Sequence, residues 1–125
     1  MNPVDIVATL VVLQFLVFGA MVGQARGKYG VKAPAVTGAE MFERAYRVQM
    51  NTLEVMVCLL PAMYIAAKYW PSTAVAGAGV VYLVGRVIYR QAYVSAPERR
   101  GLGFMLSVLP VFALLIASLV GAIRG

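Results

Sequence analysis

Residues 6–25 read IVATLVVLQFLVFGAMVGQA, twenty consecutive positions without a charge, and Arg26, Lys28 and Lys32 follow at once. A helix rises about 1.5 Å per residue, so about 20 apolar residues are what a hydrocarbon core of about 30 Å requires. The stretch therefore predicts a transmembrane helix. A secretory signal is the other reading of an apolar N-terminal run, but it needs a basic segment in front and an apolar stretch of only about 7–15 residues. Here Asp5 stands in front and the run is longer. At the other end, residues 101–123 hold 23 uncharged positions and predict a second span. A kink is expected at Pro110, because proline removes a backbone donor.

The rest of the chain agrees. Its 125 residues are 62% apolar and 13% charged, with a mean hydropathy of +0.81. A soluble domain holds about 45–50% apolar and about 25% charged residues. A single membrane domain over residues 1–125 is expected, without repeats or low-complexity tracts. The net charge of +6 sits between the apolar runs, so it reads as a topology signal and not as a nucleic-acid footprint. The chain has no histidine and one cysteine, Cys58, read as an inert packing residue. A disulfide framework, histidine-based triads, zinc hydrolase centres and histidine-ligated haem are excluded, and no metal site is expected.

The two middle segments are less plainly apolar. Only thirteen uncharged residues separate Glu54 from Lys68, about 20 Å of helix and too short to cross. The helical pattern continues upstream through Asn51 and Arg47 to Glu40. The run from Tyr69 to Gly85 is likewise interrupted by Arg86 and resumes through Tyr89 and Tyr93. Both segments span only with Glu54 and Arg86 at bilayer depth. Ionisable residues there are costly and face a bundle interior or cavity. The expected fold is an all-α integral membrane bundle of four transmembrane helices, at about residues 4–25, 40–69, 72–95 and 101–123.

The connections carry the topology. Loop one, residues 27–38, and loop three, from Ala96-Pro97-Glu98 to Arg100, hold or adjoin most of the cations, whereas Lys68 and Arg124 are alone on the other side. The positive-inside rule then puts loops one and three in the cytoplasm and both termini outside. Trp70-Pro71-Ser72 is a tight turn with Trp70 suited to the membrane interface.

Arg47, Asn51 and Glu54 follow one another at spacings of four and three, so they share a helix face. Tyr82, Arg86, Tyr89 and Tyr93 do the same on the third helix, and Arg26 and Arg100 flank the pair of stripes. Guanidinium groups pair bidentately with carboxylates, and a glutamate accepts from an amine. The set suits a ligand with several carboxylates and one ammonium. Bland readings stand beside this one. Glu54 and Arg86 can form a buried structural pair, the tyrosines can be interfacial belt residues, and Arg99 and Arg100 can be topology signals alone. Tyr82 is read as a belt residue or as simple packing. Gly19 and Gly23, and the ridge Ala113, Ala117 and Gly121, mark helix contacts.

The run from Phe42 through Glu43, Arg44, Ala45, Tyr46, Arg47, Val48, Gln49, Met50, Asn51, Thr52 and Leu53 to Glu54, followed by Pro61, resembles the second-helix signature of the MAPEG family, the membrane-associated proteins of eicosanoid and glutathione metabolism. The stretch from Val81 to Tyr93, with Arg100 seven residues on, resembles its third-helix signature. The likeness covers nearly the whole chain. It implies a homotrimer of four-helix bundles with glutathione between subunits near the cytoplasmic face. By resemblance, Arg47, Gln49, Asn51 and Glu54 are glutathione contacts from one subunit. Tyr89 and Tyr93 are contacts from the third helix of a neighbour, and Arg26 is a basic contact at the end of the first helix. Arg86 joins the candidate set by sharing the face of the two tyrosines. Arg100 matches the arginine that family enzymes place beside the thiol.

The resemblance implies a membrane-bound glutathione transferase, with glutathione as co-substrate and a lipophilic electrophile or lipid hydroperoxide drawn from the bilayer lipids. Two departures weigh against the leukotriene reaction: Val55 stands where family leukotriene synthases carry a tyrosine, and Gly27 where they carry a second arginine. Non-enzymatic members lack the arginine matched by Arg100. Two other readings stay open at this stage, a non-catalytic lipid-binding protein of the same fold and a small proton-coupled exporter. A bacterial inner membrane is expected in preference to the endoplasmic reticulum.

Overall fold

The computed structural model describes residues 1–125. It contains α1 (Pro3–Tyr29), α2 (Glu40–Ala66), α3 (Ser72–Ser95) and α4 (Gly101–Arg124), with a 3₁₀ turn at Pro97–Arg99 before α4. All four are long and apolar enough to cross a bilayer. Helices satisfy nearly all of their backbone hydrogen bonds locally, which is the condition for crossing hydrocarbon, and only Pro61 and Pro110 interrupt the ladder inside them.

The ends show why these residues start and stop helices. Asn2 Oδ1 accepts from the Asp5 N–H at 3.1 Å, Pro3 opens α1, and Asp5 places negative charge at its N-terminus. The helix continues past Arg26 to Tyr29, four residues beyond the expected end, because a charged side chain at the membrane surface does not break a helix. Gly30 stops it with φ 71°, the left-handed C-cap that a side chain would strain. Conversely, α2 ends at Ala66, three residues earlier than expected. Residues 67–70 turn back there through hydrogen bonds from Lys68 to the Ile65 carbonyl and from Tyr69 and Trp70 to the Ala66 carbonyl. Pro61 and Pro110 sit inside helices that continue through them.

The bundle is a four-cornered packing in which α1 contacts α2 and α3, α4 contacts α3 and α2, and α2 meets α3 across the diagonal. Val11, Leu59, Ala62, Met63, Ala66 and Tyr82 are fully buried at its centre. Tyr82 is thus a packing residue. The few interior hydroxyls bond to backbone: Thr52 to the Val48 carbonyl, Ser107 to Gly103, and Ser118 both to Leu114 and across to Ala62 of α2 at 3.1 Å. The outside is apolar, with Leu16, Val57, Ile116, Leu119 and Ile123 all exposed. Such a surface belongs against lipid or another subunit. Cys58 lies on this outer surface and not in the packed interior expected for it; the helix is apolar on both sides there, so composition did not distinguish them.

The turn between α2 and α3 is pinned by Trp70, whose indole Nε1–H donates to the Ala117 carbonyl of α4 at 2.8 Å while the Arg124 guanidinium lies 5.8 Å from its ring centroid. Replacing Trp70 by phenylalanine keeps the aromatic packing and removes the donor. A loss of about 1 kcal/mol is expected, read as a lowered unfolding midpoint in detergent.

Candidate functional site

The opposite end of the bundle, where loops one and three lie, holds the polar residues. Arg44 ties α2 to α3 there: its guanidinium pairs with Glu40 at 2.6 Å and donates to the Val94 carbonyl at 2.7 Å. That carbonyl belongs to the last turn of α3, where helical partners run out and a cation is favoured. The clamp brings the face of α2 bearing Arg47 and Asn51 against the face of α3 bearing Tyr89 and Tyr93. The 3₁₀ turn then drops Arg100 at the start of α4, held by a hydrogen bond from its guanidinium to the Pro97 carbonyl at 2.8 Å.

The result is a cleft of about 610 Å³ lined by Arg47, Asn51, Tyr89, Tyr93, Glu98, Arg100, Gly101 and Phe104. Such a volume is in the range of small-ligand pockets. Tyr89 is the hub of its wall, 5.5 Å from the Tyr93 ring and 6.2 Å from the Phe104 ring, centroid to centroid. Arg100 lies 5.9 Å from the Tyr93 ring. The only ion pair in the chain is the Arg44–Glu40 pair, so Arg47 and Arg100 keep their charge for something else. The N-terminus of α4 at Gly101 adds unpaired N–H groups and the positive end of a helix dipole. The lining thus carries two guanidinium groups against one carboxylate, that of Glu98.

Five sequence candidates are therefore brought together in one chain: Arg47, Asn51, Tyr89, Tyr93 and Arg100. The resemblance placed the two tyrosines on a neighbouring subunit. In the structure they stand beside Arg47 and Asn51 of the same chain, because α2 and α3 cross the diagonal of the bundle at this level.

Arg86 is placed differently from the cleft residues. It is fully buried, and it faces Asn51, donating from both Nη1 and Nη2 to Asn51 Oδ1 at 2.9 Å. Its guanidinium carbon stands 4.2 Å from the Tyr89 ring centroid. The alternative of a buried Glu54–Arg86 pair is thereby corrected. Glu54 is exposed one turn further along α2 and makes only a long 3.5 Å contact with Asn51 Nδ2. It forms no ion pair with Arg86, whose two Nη groups are taken up by Asn51 Oδ1.

Arg26 and Gln49 are not brought to this cleft. Two residues along a helix is about 200° of rotation, so Gln49 points away from both Arg47 and Asn51. It lies over α1, so close that a Cβ on Gly19 would come within 2.6 Å of its Nε2. Gly23, the other half of that spacing, faces open space. Arg26 donates to the Ala35 carbonyl at 2.7 Å and stacks 4.8 Å from the Phe42 ring on the same α1 side. The candidates thus divide into two groups on opposite sides of α2.

Sequence reasoning missed Glu98, Gly101 and Phe104 as lining residues. Phe104 had a usable signal, since it follows Arg100 by one helical turn and so shares its face. Glu98 had none, because the 3₁₀ turn that directs it leaves no periodicity.

The sequence model of the MAPEG family matches residues 4–120. Among curated proteins, the chain is 42% identical over 114 residues to an uncharacterized protein of Synechocystis sp., covering 91% of this chain and 83% of that one. It is 40% identical over 106 residues to microsomal glutathione S-transferase 2 of Homo sapiens, covering 85% and 70%. It is 32% identical over 102 residues to leukotriene C4 synthase of Bos taurus, covering 79% and 68%. With four spanning helices, a polar cleft at one end and a family match over nearly its whole length, the chain is a multi-pass integral membrane protein of the MAPEG family.

Proposed function

We propose that this protein is a membrane-bound glutathione transferase that activates the glutathione thiol for attack on lipophilic electrophiles or lipid hydroperoxides. The observation that carries the reading is the cleft itself, in which two arginines without carboxylate partners, an amide, two phenols and a helix N-terminus converge. Glutathione carries two carboxylates, an ammonium and a thiol. Arg47 takes a carboxylate, Asn51 and the tyrosine hydroxyls bond to the peptide, and Arg100 meets the sulfur. The relatives named for glutathione transfer and leukotriene C4 synthesis support the same class.

The chemistry needs no protein nucleophile. A free thiol of pKa about 8.5 is only a few per cent thiolate at neutral pH. Each unit of lowering requires about 1.36 kcal/mol of preferential interaction with the anion. A guanidinium and a helix N-terminus at the edge of a bilayer supply this without histidine or cysteine. The thiolate sulfur then forms the new bond to the electrophile, which arrives from the apolar phase along the outer helix surfaces. The displaced electron pair leaves with the departing group or the opened bond or, at a hydroperoxide, with the alkoxide as the O–O bond breaks, and water supplies its proton.

The working form is a homotrimer in this reading. Arg26 and Gln49 lie on the far side of α2 from the cleft, so they reach glutathione only when the α1 side of a second copy covers the cleft of the first. Glu54 supports the assembly: a carboxylate exposed on a membrane helix is costly, and a neighbour's cations or the glutathione ammonium relieve it. Loops one and three, with the cleft between them, face the cytoplasm under the positive-inside rule, and the membrane is a bacterial inner membrane.

The test is a difference ultraviolet titration of the purified, detergent-solubilised protein with glutathione, following thiolate absorbance at neutral pH. A saturable signal is expected. Folded protein giving neither binding nor thiolate at millimolar glutathione overturns the transferase reading. The exporter alternative then requires that Glu54→Gln abolish proton-coupled transport, and the lipid-binding alternative requires a retained lipid with no thiolate.

A further inference from the structure

We propose that Arg86 is a positioning residue that locks Asn51 as a hydrogen-bond donor facing the cleft, so that this part of the site accepts only an acceptor oxygen of the ligand. The inference rests on the glutathione reading above and deepens it. Three observations carry it. Arg86 is fully buried behind the cleft wall and is absent from its lining. It has no carboxylate partner; both Nη atoms converge on the single oxygen of Asn51, and Nε has no partner at all. Its guanidinium also underlies the Tyr89 ring at 4.2 Å, so it touches two cleft side chains from behind.

The chemistry follows from donor arithmetic. A guanidinium only donates, and a carboxamide has one accepting and one donating end. With Arg86 facing it, Asn51 must present its oxygen inward, and its Nδ2 must point outward. Nδ2 carries two protons. One is directed at Glu54 over a long 3.5 Å contact, which leaves the other for a ligand. A carboxylate or peptide carbonyl of glutathione satisfies it, with Arg47 one turn away on the same face adding charge. An unlocked asparagine would present either end, and half its orientations would repel an anionic ligand. Burying an uncompensated cation is expensive in stability, and its position here makes sense if orienting Asn51 and Tyr89 is its return.

The test is a double-mutant cycle read by glutathione titration and by the pKa of the bound thiol. Asn51→Ala and Arg86→Met should each weaken glutathione binding about tenfold, the usual effect of losing one hydrogen bond to a charged group. The double variant should lose about tenfold and not a hundredfold, because both substitutions remove the same contact. The pH at which bound glutathione ionises should stay at the wild-type value in all three, since Arg100 is untouched; a general loosening of the fold would move it.

Asn51→Asp provides the check if Arg86→Met fails to fold. It gives Arg86 a carboxylate, so the fold should be kept or strengthened, yet it removes the donor at position 51, so binding should fall at least as far as in Asn51→Ala. Additive losses in the cycle would show Arg86 meeting the ligand directly and overturn the inference. Wild-type affinity in Asn51→Asp would overturn it too. Wild-type protein that binds no glutathione overturns the function reading, and this inference with it.

Discussion

Arg100→Ala should still bind glutathione but should leave it protonated at neutral pH. Arg100 sits at the entry to α4, in no ion pair, with its guanidinium near the tyrosine wall. If it lowers the thiol pKa by about two units, bound glutathione in the wild type is mostly thiolate at pH 7. In the variant the fraction returns to a few per cent. The sign in pH is definite. A depressed thiol pKa yields thiolate above the depressed value, so wild type and variant differ most between about pH 6.5 and 8.5 and converge above both pKa values. The loss of preferential stabilisation is about 2.7 kcal/mol, and because the thiolate fraction at pH 7 falls from about three quarters to about 3%, the transfer rate at neutral pH should drop about 25-fold. A thiolate signal that survives in Arg100→Ala would move the activating role to Arg47, the other cation lining the cleft.

Gly103→Ala should be the most destabilising single methyl group in the protein. A Cβ at this position would overlap the Tyr89 backbone nitrogen and lie 2.5 Å from its Cα. Those are backbone atoms of α3, so no side-chain rotation relieves the overlap. Gly85 makes the reciprocal approach from α3, where a Cβ would come within 2.8 Å of the Leu106 and Ser107 backbone. The two glycines let α3 and α4 touch at the level of the cleft, and Tyr89 is held there. Overpacking costs about 1–3 kcal/mol where side chains can adjust, and backbone contact puts Gly103→Ala at the upper end or beyond. Thermal unfolding in detergent should show a large drop, with glutathione binding reduced because Tyr89 is displaced. Gly77→Ala is the control: its Cβ would meet nothing within 4 Å, so its midpoint should hold or rise slightly. Equal midpoints for the two variants would show that the α3–α4 contact is looser than its geometry indicates.

Much of this architecture was legible because it depends on one-dimensional quantities. The run of residues 6–25 sets the length of a span, and the spacing of Arg47, Asn51 and Glu54 sets a helix face, whatever surrounds them. Helix ends were less legible. Gly30 stops α1 through a left-handed conformation, whereas the sequence pointed to the first charge, at Arg26. The site was legible in its residue types but only half in its geometry. Asn51 and Arg86 were both recognised, but the identity of Arg86's partner depends on how α2 and α3 cross, and periodicity along either helix does not contain that.

The sequence by itself determined a four-span membrane protein with a cluster of cations, phenols and an amide at one end, because bilayer thickness and helical repeat convert spacing directly into depth and face. Only the tertiary structure decided which faces meet. It put Arg47, Asn51, Tyr89, Tyr93 and Arg100 around one cleft, turned Gln49 and Arg26 to the far side of α2, and sank Arg86 behind Asn51. The physical reason is that the rotation and crossing of apolar helices are set by close packing at points such as Gly85 and Gly103, where a single absent methyl group admits a neighbouring backbone.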